Sequence, residues 1–442
     1  MFPAEVETVL RCLEAAGYEA YAVGGCVRDL LLGKTPEDYD MTTSARPEQV
    51  MALFDGFCIP TGLQHGTVTV RQDGKSFEVT TFRTEGPYED GRHPSTVYFS
   101  QRLEEDLKRR DFTVNAMAMD VEGHITDLFG GQEDLRRGII RCVGEPKKRF
   151  EEDALRILRA LRFAATLGFS VEEATGKAIR ESRAGLQKIA AERIRVEMNK
   201  LLCGQKAGEI LLVWPEVLGV FLPEILPCVG FDQCNRYHCY DVWEHTVRAV
   251  DAAPCDPIVR WTMLLHDLAK PVVFTKDEQG NGHFYGHAQC SAEIAREILH
   301  RLRFDRRSAQ RIEQLVLWHD RQIQPTEKSV ARALRTIGEE PLGQLFAVKR
   351  ADNLAQPMEL RSRQQEITEL EEIVASLLSK EQCFTLRQLA VNGRDLMELG
   401  LQGMAIGKML QDLLSAVVDG ALENDRETLL LWVKERIGNN KI

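Results

Sequence analysis

The chain is short of several features that define whole classes of protein. No apolar run reaches the roughly 18 residues that a helix needs to cross a bilayer, so no membrane span is expected. The cysteines number eleven, an odd count, and none stands in a CxxC pair. A disulfide framework or a structural zinc site is therefore not expected, and a reducing cytoplasm fits best. Excess positive charge is also missing. The formal net charge is −11, which argues against a protein that coats nucleic acid without specificity. The first residues, "MFPAEVETVLRCLEAAG", carry acids early and lack a basic stretch, so an amphipathic helix is expected there instead of a secretory signal. There is no internal repeat and no low-complexity tract.

What is present is ordinary in bulk. With 442 residues, 44% hydrophobic and 28% charged, the chain is long enough for two to four soluble globular domains. Two local basic patches, "KRRDF" and "RLRFDRR", are of the kind that holds RNA, although solvated faces look the same. Up to about residue 136 the patterns mix helix and strand. "AYAVGG" reads as a strand entering a tight turn, and "CVRDLLLG" as a short helix closed by Gly33. "TVTVRQDGKSFEVTTFR" is two alternating runs around Asp73-Gly74, a hairpin signal. "FTVNAMAMD" and "GHITDLF" add strand content. From Ile139 strand signals fade. "EEDALRILRALRFAATLGF" reads as one helix with acids at its start, a stripe of Leu158, Leu161 and Ala165, and Gly168 at its end. "AERIRVEMNKLLCG" reads as another. The fold class expected is α+β: a small mixed sheet with helices, followed by a long all-α remainder.

Two groups of residues carry chemistry. Asp38 and Asp40, in "EDYDMTT", are two apart, and on an extended strand such residues face the same side. Paired carboxylates repel unless a cation joins them, and Mg2+ favours hard oxygens together with substrate phosphates. A pair of such ions can activate an attacking hydroxyl and stabilise departing pyrophosphate. Just upstream, Gly24-Gly25 allows close approach to a phosphate, with Arg28 in the following turn to meet its charge. Alone, D-x-D is common and often only a polar turn; its coupling to "GGCVRDLLLG" is what makes it informative. The second group is His245, His266-Asp267 and Asp352, with His287 and His319 between them. Seven of the ten histidines fall after residue 237. Imidazole nitrogens with carboxylate oxygens suit Mn, Fe, Ni, Mg or Zn, with geometry deciding which.

The segments "VGGCVRDLLLG" with "DYD", "LEEDLKRRDFTVNAMA", "DLFGGQEDL", "EEDALRILRALRFAA" and "ERIRVEMNKLL" resemble, in order and spacing, the class II nucleotidyltransferases: bacterial CCA-adding enzymes and poly(A) polymerases. They run from Val23 to Leu202. The resemblance implies that Asp38 and Asp40 hold catalytic Mg2+, that Gly25, Arg28 and Arg110 contact the nucleoside triphosphate, and that Asp111 and Asn115 shape the ribose site. Asp153 and Arg156 would read the base edge; three apart on a helix, they would be neighbours. A carboxylate accepts from the amine of cytosine or adenine, where uracil and guanine present a carbonyl. Arg159 and Arg162 would bind nucleotide or primer phosphate. Glu78, on the hairpin, is either a third carboxylate or an exposed strand residue. "GPYEDGRHPSTVYFSQRLEEDL" is similar to the flexible loop of complete CCA-adding enzymes, in which Asp90 and Arg92 would help the change from C to A.

"YDVWEHTVRAV", "MLLHDLAKP", "GHFYGHA" and "VLWHD" resemble HD-superfamily phosphohydrolases, with His245, His266, Asp267 and Asp352 as metal ligands for Mn, Ni or Mg. The tail, "LAVNGRDLMELGLQGMAIGKMLQDLLSAVVDGALENDRETLLLWVKERIG", is similar to that of Gram-positive-type CCA-adding enzymes, which would touch tRNA away from the acceptor end. There Gly393, Gly400, Gly403 and Gly407 would permit close approach to RNA or to neighbouring helices. The division implied is a nucleotidyltransferase head (1–136), a neck with the base-reading helices (137–205), a helical connector (206–236), an HD domain (237–354) and a helical body and tail (355–442).

The activity implied is template-independent addition of C, C and A to tRNA from CTP and ATP, in the cytoplasm and off the membrane. A-only addition, poly(A) synthesis, a mainly HD-type phosphohydrolase and a non-catalytic tRNA chaperone are the alternatives. The acidic-mixed tail favours tRNA over poly(A) synthesis.

Overall fold

The computed structural model describes residues 2–86, 96–234, 239–361, 363–379 and 384–439. The loop residues Asp90 and Arg92 lie outside this described set. The chain forms two compact units, Met1–Leu226 with Arg301–Arg303, and Pro227–His300 with Phe304–Ile442. Among the described residues no helix is long and apolar enough to cross a membrane.

The first unit begins with an amphipathic helix, Ala4–Ala15, which buries Val6, Val9, Leu10 and Leu13. Eleven strands are described after it: β1 Ala20–Val23, β2 Met41–Thr43, β3 Cys58–Gly62, β4 Thr67–Gln72, β5 Lys75–Thr81, β6 Arg83–Glu85, β7 Val97–Phe99, β8 Met117–Met119, β9 Ile125–Asp127, and, within the stretch expected to be all-α, β10 Ile139–Ile140 and β11 Ser170–Val171, which pair in parallel. Seven of them make one mixed sheet in the order β3-β4-β5-β2-β1-β8-β9, and β6 and β7 form a separate ribbon. The hairpin is where the alternation places it. Val68, Val70, Phe77 and Val79 are buried, and Asp73 and Gly74 both take positive φ, 49° and 79°, as a tight twisted hairpin turn requires. β2 lies parallel to β5 in the middle of the sheet, and antiparallel to β1. The sheet, with helices after it, bears out the fold class expected.

The long helix expected over "EEDALRILRALRFAATLGF" is in fact two, Pro146–Glu152 and Leu155–Leu167. Asp153 breaks it. Its backbone is extended, φ −143° and ψ 104°, and its carboxylate accepts the Leu155 N–H at 2.9 Å. A short acid that caps its own downstream backbone competes with helix continuation. The stripe of Leu158, Leu161 and Ala165 is fully buried, and Gly168 ends the helix in the left-handed conformation. The second helix, Ala191–Leu202, packs closely on the first. A Cβ at Gly204 would stand 2.7 Å from the Ala165 backbone, so this glycine serves close packing.

Among its described residues, the second unit's only strands are the two-stranded ribbon Thr275–Lys276 and Gly282–His283; the rest are helices and their connections. One apolar cluster gathers Leu315, Leu334, Phe346 and Leu370, and another gathers Leu389, Leu396, Leu413 and Val433. Gly400 and Gly403 take positive φ, and no atom within 4 Å opposes a Cβ at Gly400, Gly403 or Gly407. Close helix packing therefore does not account for those three glycines.

Replacing Leu158 by Ala should lower the unfolding free energy of the first unit by about 2–5 kcal/mol, because neighbours collapse only partly into the gap. Urea unfolding checks this, and an effect within about 0.5 kcal/mol, the range of a surface substitution, would show that the buried stripe is not what joins the helices to the sheet.

Candidate active site

Asp38 and Asp40 lie in the extended segment that leads into β2. The Val23 N–H donates to the carbonyl of Asp40 at 2.9 Å, which ties this segment to the end of β1. In the β2–β5 ladder Met41 pairs with Val79, so one step back along the same parallel register Asp40 stands beside Glu78. Asp40 keeps an open surface, yet enough protein surrounds its carboxyl to raise its pKa. That crowding is the largest cause, followed by the like charge of Asp38; Glu78 adds to it and Arg110 opposes it. Three acids thus converge with too little positive charge between them.

Gly24 makes the turn from β1 into the helix Gly25–Leu31, with φ 84°. A Cβ there would stand 3.0 Å from Nη1 of Arg110. Arg110 pairs with Asp106 at 3.3 Å, and its Nε is buried without a hydrogen bond. Asp106 is fully buried and also accepts from Arg109 at 2.7 Å and from the Thr42 hydroxyl at 3.3 Å. Burial works to raise its pKa, but the two guanidiniums outweigh this and hold it below the usual carboxylate range. Arg28, on the same helix, faces inward. Nη1 donates to Asn115 at 2.8 Å, Nε donates to Asp29 at 2.9 Å, and the guanidinium lies over the Phe163 ring.

Asp111 accepts from Arg159 Nε at 2.7 Å, from its neighbour's Phe112 N–H at 2.8 Å and from Asn115 Nδ2 at 3.3 Å. Its pKa is lowered: burial opposes this, and the Arg159 charge outweighs it. Arg159 is raised in turn, chiefly by Asp111. Arg162 pairs with Glu197 at 2.7 Å and sits 3.8 Å from the Phe163 centroid. Burial, the leading cause, brings Arg162 down to about 10.

Asp153 and Arg156 do not pair with each other. The Asp153 carboxylate meets Arg193 at 2.7 Å. Arg156 meets Glu152 at 2.6 Å and donates to the Arg109 carbonyl at 3.2 Å. Because Asp153 sits at a helix break, the two side chains are not neighbours along one helix as the spacing predicts. Arg156 is nonetheless tied to the segment Arg109–Asp111 through the Arg109 carbonyl, in which the Arg110 charge acts on Asp40 and Asp111 pairs with Arg159.

Sequence reasoning passed over Asp106, Glu152, Arg193 and Glu197. Glu197 had a readable signal. It falls on the buried face of its helix with Ile194, Met198 and Leu201, and an acid in an apolar stripe implies a buried cation partner.

In the second unit His245, His266, Asp267 and Asp352 come together, and His287 and His319 join them. His245 Nε2 lies 2.9 Å from Asp352 and 3.6 Å from Asp267. His266 Nε2 lies 3.2 Å from Asp267 and 3.5 Å from Asp352. Burial opposes protonation of His266, but Asp267 and Asp352 outweigh it and bring His266 to about 10. Burial, then the charge of His266, push His319 down to about 3.

The chain matches three family descriptions: "Poly A polymerase head domain" over residues 20–141, "Probable RNA and SrmB- binding site of polymerase A" over 168–228, and "tRNA nucleotidyltransferase domain 2 putative" over 273–433. It is 37% identical to the CCA-adding enzyme of Geobacillus stearothermophilus over 97% of this chain and 96% of that protein. It is 48% identical to that of Leuconostoc mesenteroides and 58% identical to that of Lactobacillus helveticus. Those two matches span 62% and 51% of the relatives' lengths. The fold is similar to the crystal structure of the Bacillus stearothermophilus CCA-adding enzyme in complex with CTP, with TM-score 0.75, 34% identity and coverage of 100% of this chain and 99% of that one.

Asp106 and Asp111 have lowered folded pKa values, so the stability they contribute is present above the unfolded value of about 3.9 and is lost as pH falls through the folded values. Asp106→Asn should cost about 3–5 kcal/mol near neutrality by leaving buried guanidiniums without a counter-charge, and should flatten the acid limb. Hydrogen-exchange protection of Met41–Thr43 measured against pH tests this; an unchanged acid limb would contradict it.

Proposed function

Because the chain belongs to the CCA-adding enzyme family, we propose that it adds C, C and A to the 3′ end of tRNA from CTP and ATP, in the cytoplasm, without a nucleic-acid template. The observation that carries this reading is the continuity between the acidic cluster and the base-reading residues through Arg109–Asp111. The family uses divalent metal, and the crowding of Asp38, Asp40 and Glu78, with Asp40 raised first by the protein around it and then by the like charge of Asp38, is a donor set that fits Mg2+. When bound, the metal supplies charge that stabilises the triphosphate and lowers the pKa of the attacking 3′-hydroxyl.

The rest is the work of side chains. Arg110, beside Gly24 and with a spare buried N–H, binds triphosphate oxygens, and the backbone of Gly24 and Gly25 admits them closely. Arg28 braces Asn115, which with Asp111 forms the wall of the ribose site. Asp153 accepts the exocyclic amine of C or A, while Arg156 donates to the adjacent ring nitrogen. U and G would turn a carbonyl toward the carboxylate, a mismatch worth about 1–3 kcal/mol. Arg193 and Glu152 hold this reader in place. Arg159 and Arg162 set the floor against Glu197, and the helical segments 137–236 and 355–442 carry the rest of the tRNA contact.

A second reading applies to the other unit, where six His and Asp side chains converge beside the buried Lys270. His245, His266, Asp267 and Asp352 hold a divalent metal such as Mn, Ni or Mg and give the chain an HD-type phosphohydrolase activity beside nucleotide addition.

Asp38→Ala or Asp40→Ala should reduce nucleotide incorporation at least about a thousandfold, since metal charge contributes several kcal/mol, with unchanged circular dichroism. Retained incorporation would refute the assignment. With tRNA ending before CCA and labelled CTP alone, two C residues should be added; none would favour A-only addition or poly(A) synthesis.

Arg193→Ala should lower the ratio of kcat/KM for CTP over UTP by about ten- to a hundredfold, and Arg193→Lys should restore part of it. A uniform fall with the ratio intact would make Arg193 merely structural.

A further inference from the structure

We infer that Phe163 is a positioning residue for nucleotide addition: its ring holds the guanidiniums of Arg28, Arg159 and Arg162 together as one preassembled surface for the incoming nucleotide. This rests on the nucleotide-addition reading above and extends it, because that reading gives Phe163 no part.

Phe163 is buried, 6% exposed, yet its surroundings are not those of an ordinary core ring. Three guanidiniums lie over it. The Cζ of Arg162 is 3.8 Å from the ring centroid, that of Arg28 5.2 Å and that of Arg159 5.4 Å. Energetically significant contacts of this kind occur about once per 70–80 residues, so three on one ring mark a built cluster. They come from two elements. Arg159 and Arg162 share the helix Leu155–Leu167 with Phe163, and Arg159, four positions earlier, lies on the same face. Arg28 stands on the helix Gly25–Leu31 that follows the Gly24 turn. Phe112, fully buried, meets Phe163 edge to face, with centroids 5.8 Å apart and planes at 79°. The ring's own orientation is thereby fixed.

Hydrogen bonds alone do not set this arrangement. Arg28 and Arg159 each have an aligned partner, Asn115 at 2.8 Å and Asp111 at 2.7 Å. Arg162 differs. Its Nε stands 2.7 Å from a Glu197 oxygen, but among the described residues both atoms are buried without a hydrogen bond. Charge attraction of that sort fixes a distance and leaves the guanidinium plane free. The ring at 3.8 Å supplies the plane. Like charges also work against the cluster: burial is the leading cause of the lowered Arg162 pKa, and the charges of Arg159 and Arg28 add to it. The negative face of an aromatic ring offsets such repulsion without neutralising a guanidinium, as a further carboxylate would. The cations thus stay available to phosphate oxygens. Loss of the ring leaves every charge in place and lets the guanidiniums separate. Nucleotide then binds less well, and the chemistry of bound nucleotide changes little.

The test replaces Phe163 in the full-length chain with phenylalanines bearing one, two and three ring fluorines, which weaken the negative face stepwise and nearly keep the ring's shape. CTP incorporation into tRNA ending before CCA gives kcat and KM for each. KM for CTP should rise at every step, to about tenfold with three fluorines, while kcat changes far less. Phe163→Leu should raise KM at least as far. Circular dichroism and urea unfolding check the fold, and if Phe163→Leu does not fold, the fluorinated series decides alone. A KM indifferent to fluorination, or a kcat that falls with stability while KM holds, overturns the inference and leaves nucleotide addition standing. No incorporation by the parent chain overturns both.

Discussion

The first unit depends on a buried ionic junction at Arg109–Asp111. Asp106 gathers Arg109 and Arg110, Asp111 gathers Arg159, and Glu197 gathers Arg162. With Thr42 of the sheet bonded to Asp106, these pairs tie the sheet to the helices Leu155–Leu167 and Ala191–Leu202, so the distance between the acidic cluster and the segment of Asp153 and Arg156 is set by charge matching in a low-dielectric interior. Such pairs are a weak source of net stability, because desolvation offsets most of their attraction. Their value here is geometric. An unmatched guanidinium at this depth is so costly that few alternative packings compete with the one observed.

The two units present a common electrostatic theme by opposite means. In the first, Asp38, Asp40 and Glu78 crowd at an open surface, where substrate phosphates have access. In the second, the ligand residues are buried or half-buried, and His266, His287 and His319 are each fixed by a backbone carbonyl. An open acidic site suits an ion that arrives with a nucleotide. A closed, nitrogen-rich site suits an ion that stays.

Local chemistry made much of this legible in the sequence. The Asp73-Gly74 turn and the alternation on either side of it specify the hairpin, and the hairpin brings Glu78 beside Asp40. The apolar stripe of Leu158, Leu161 and Ala165 specifies a buried helix. What escaped was non-local. Nothing in "EEDALR" distinguishes an aspartate that continues a helix from one that caps the next, and its second partner, Arg193, stands forty positions away. The partners of Arg28 and Arg159 likewise come from distant segments. Arg28 meets Asn115, 87 positions away, and lies over Phe163. The six His and Asp residues of the second unit were visible as types, but their grouping around Asp267 appears only when five helices converge.

The central claim is that one site joins cation-binding acids to a base reader. Diffraction from crystals soaked with Mn(II) and a non-hydrolysable CTP analogue tests it most directly. The account predicts an anomalous peak between the Asp38 and Asp40 carboxylates, with the cytosine amine on Asp153 and its ring edge on Arg156. Manganese elsewhere, or a cytosine bound away from Asp153 and Arg156, would contradict it.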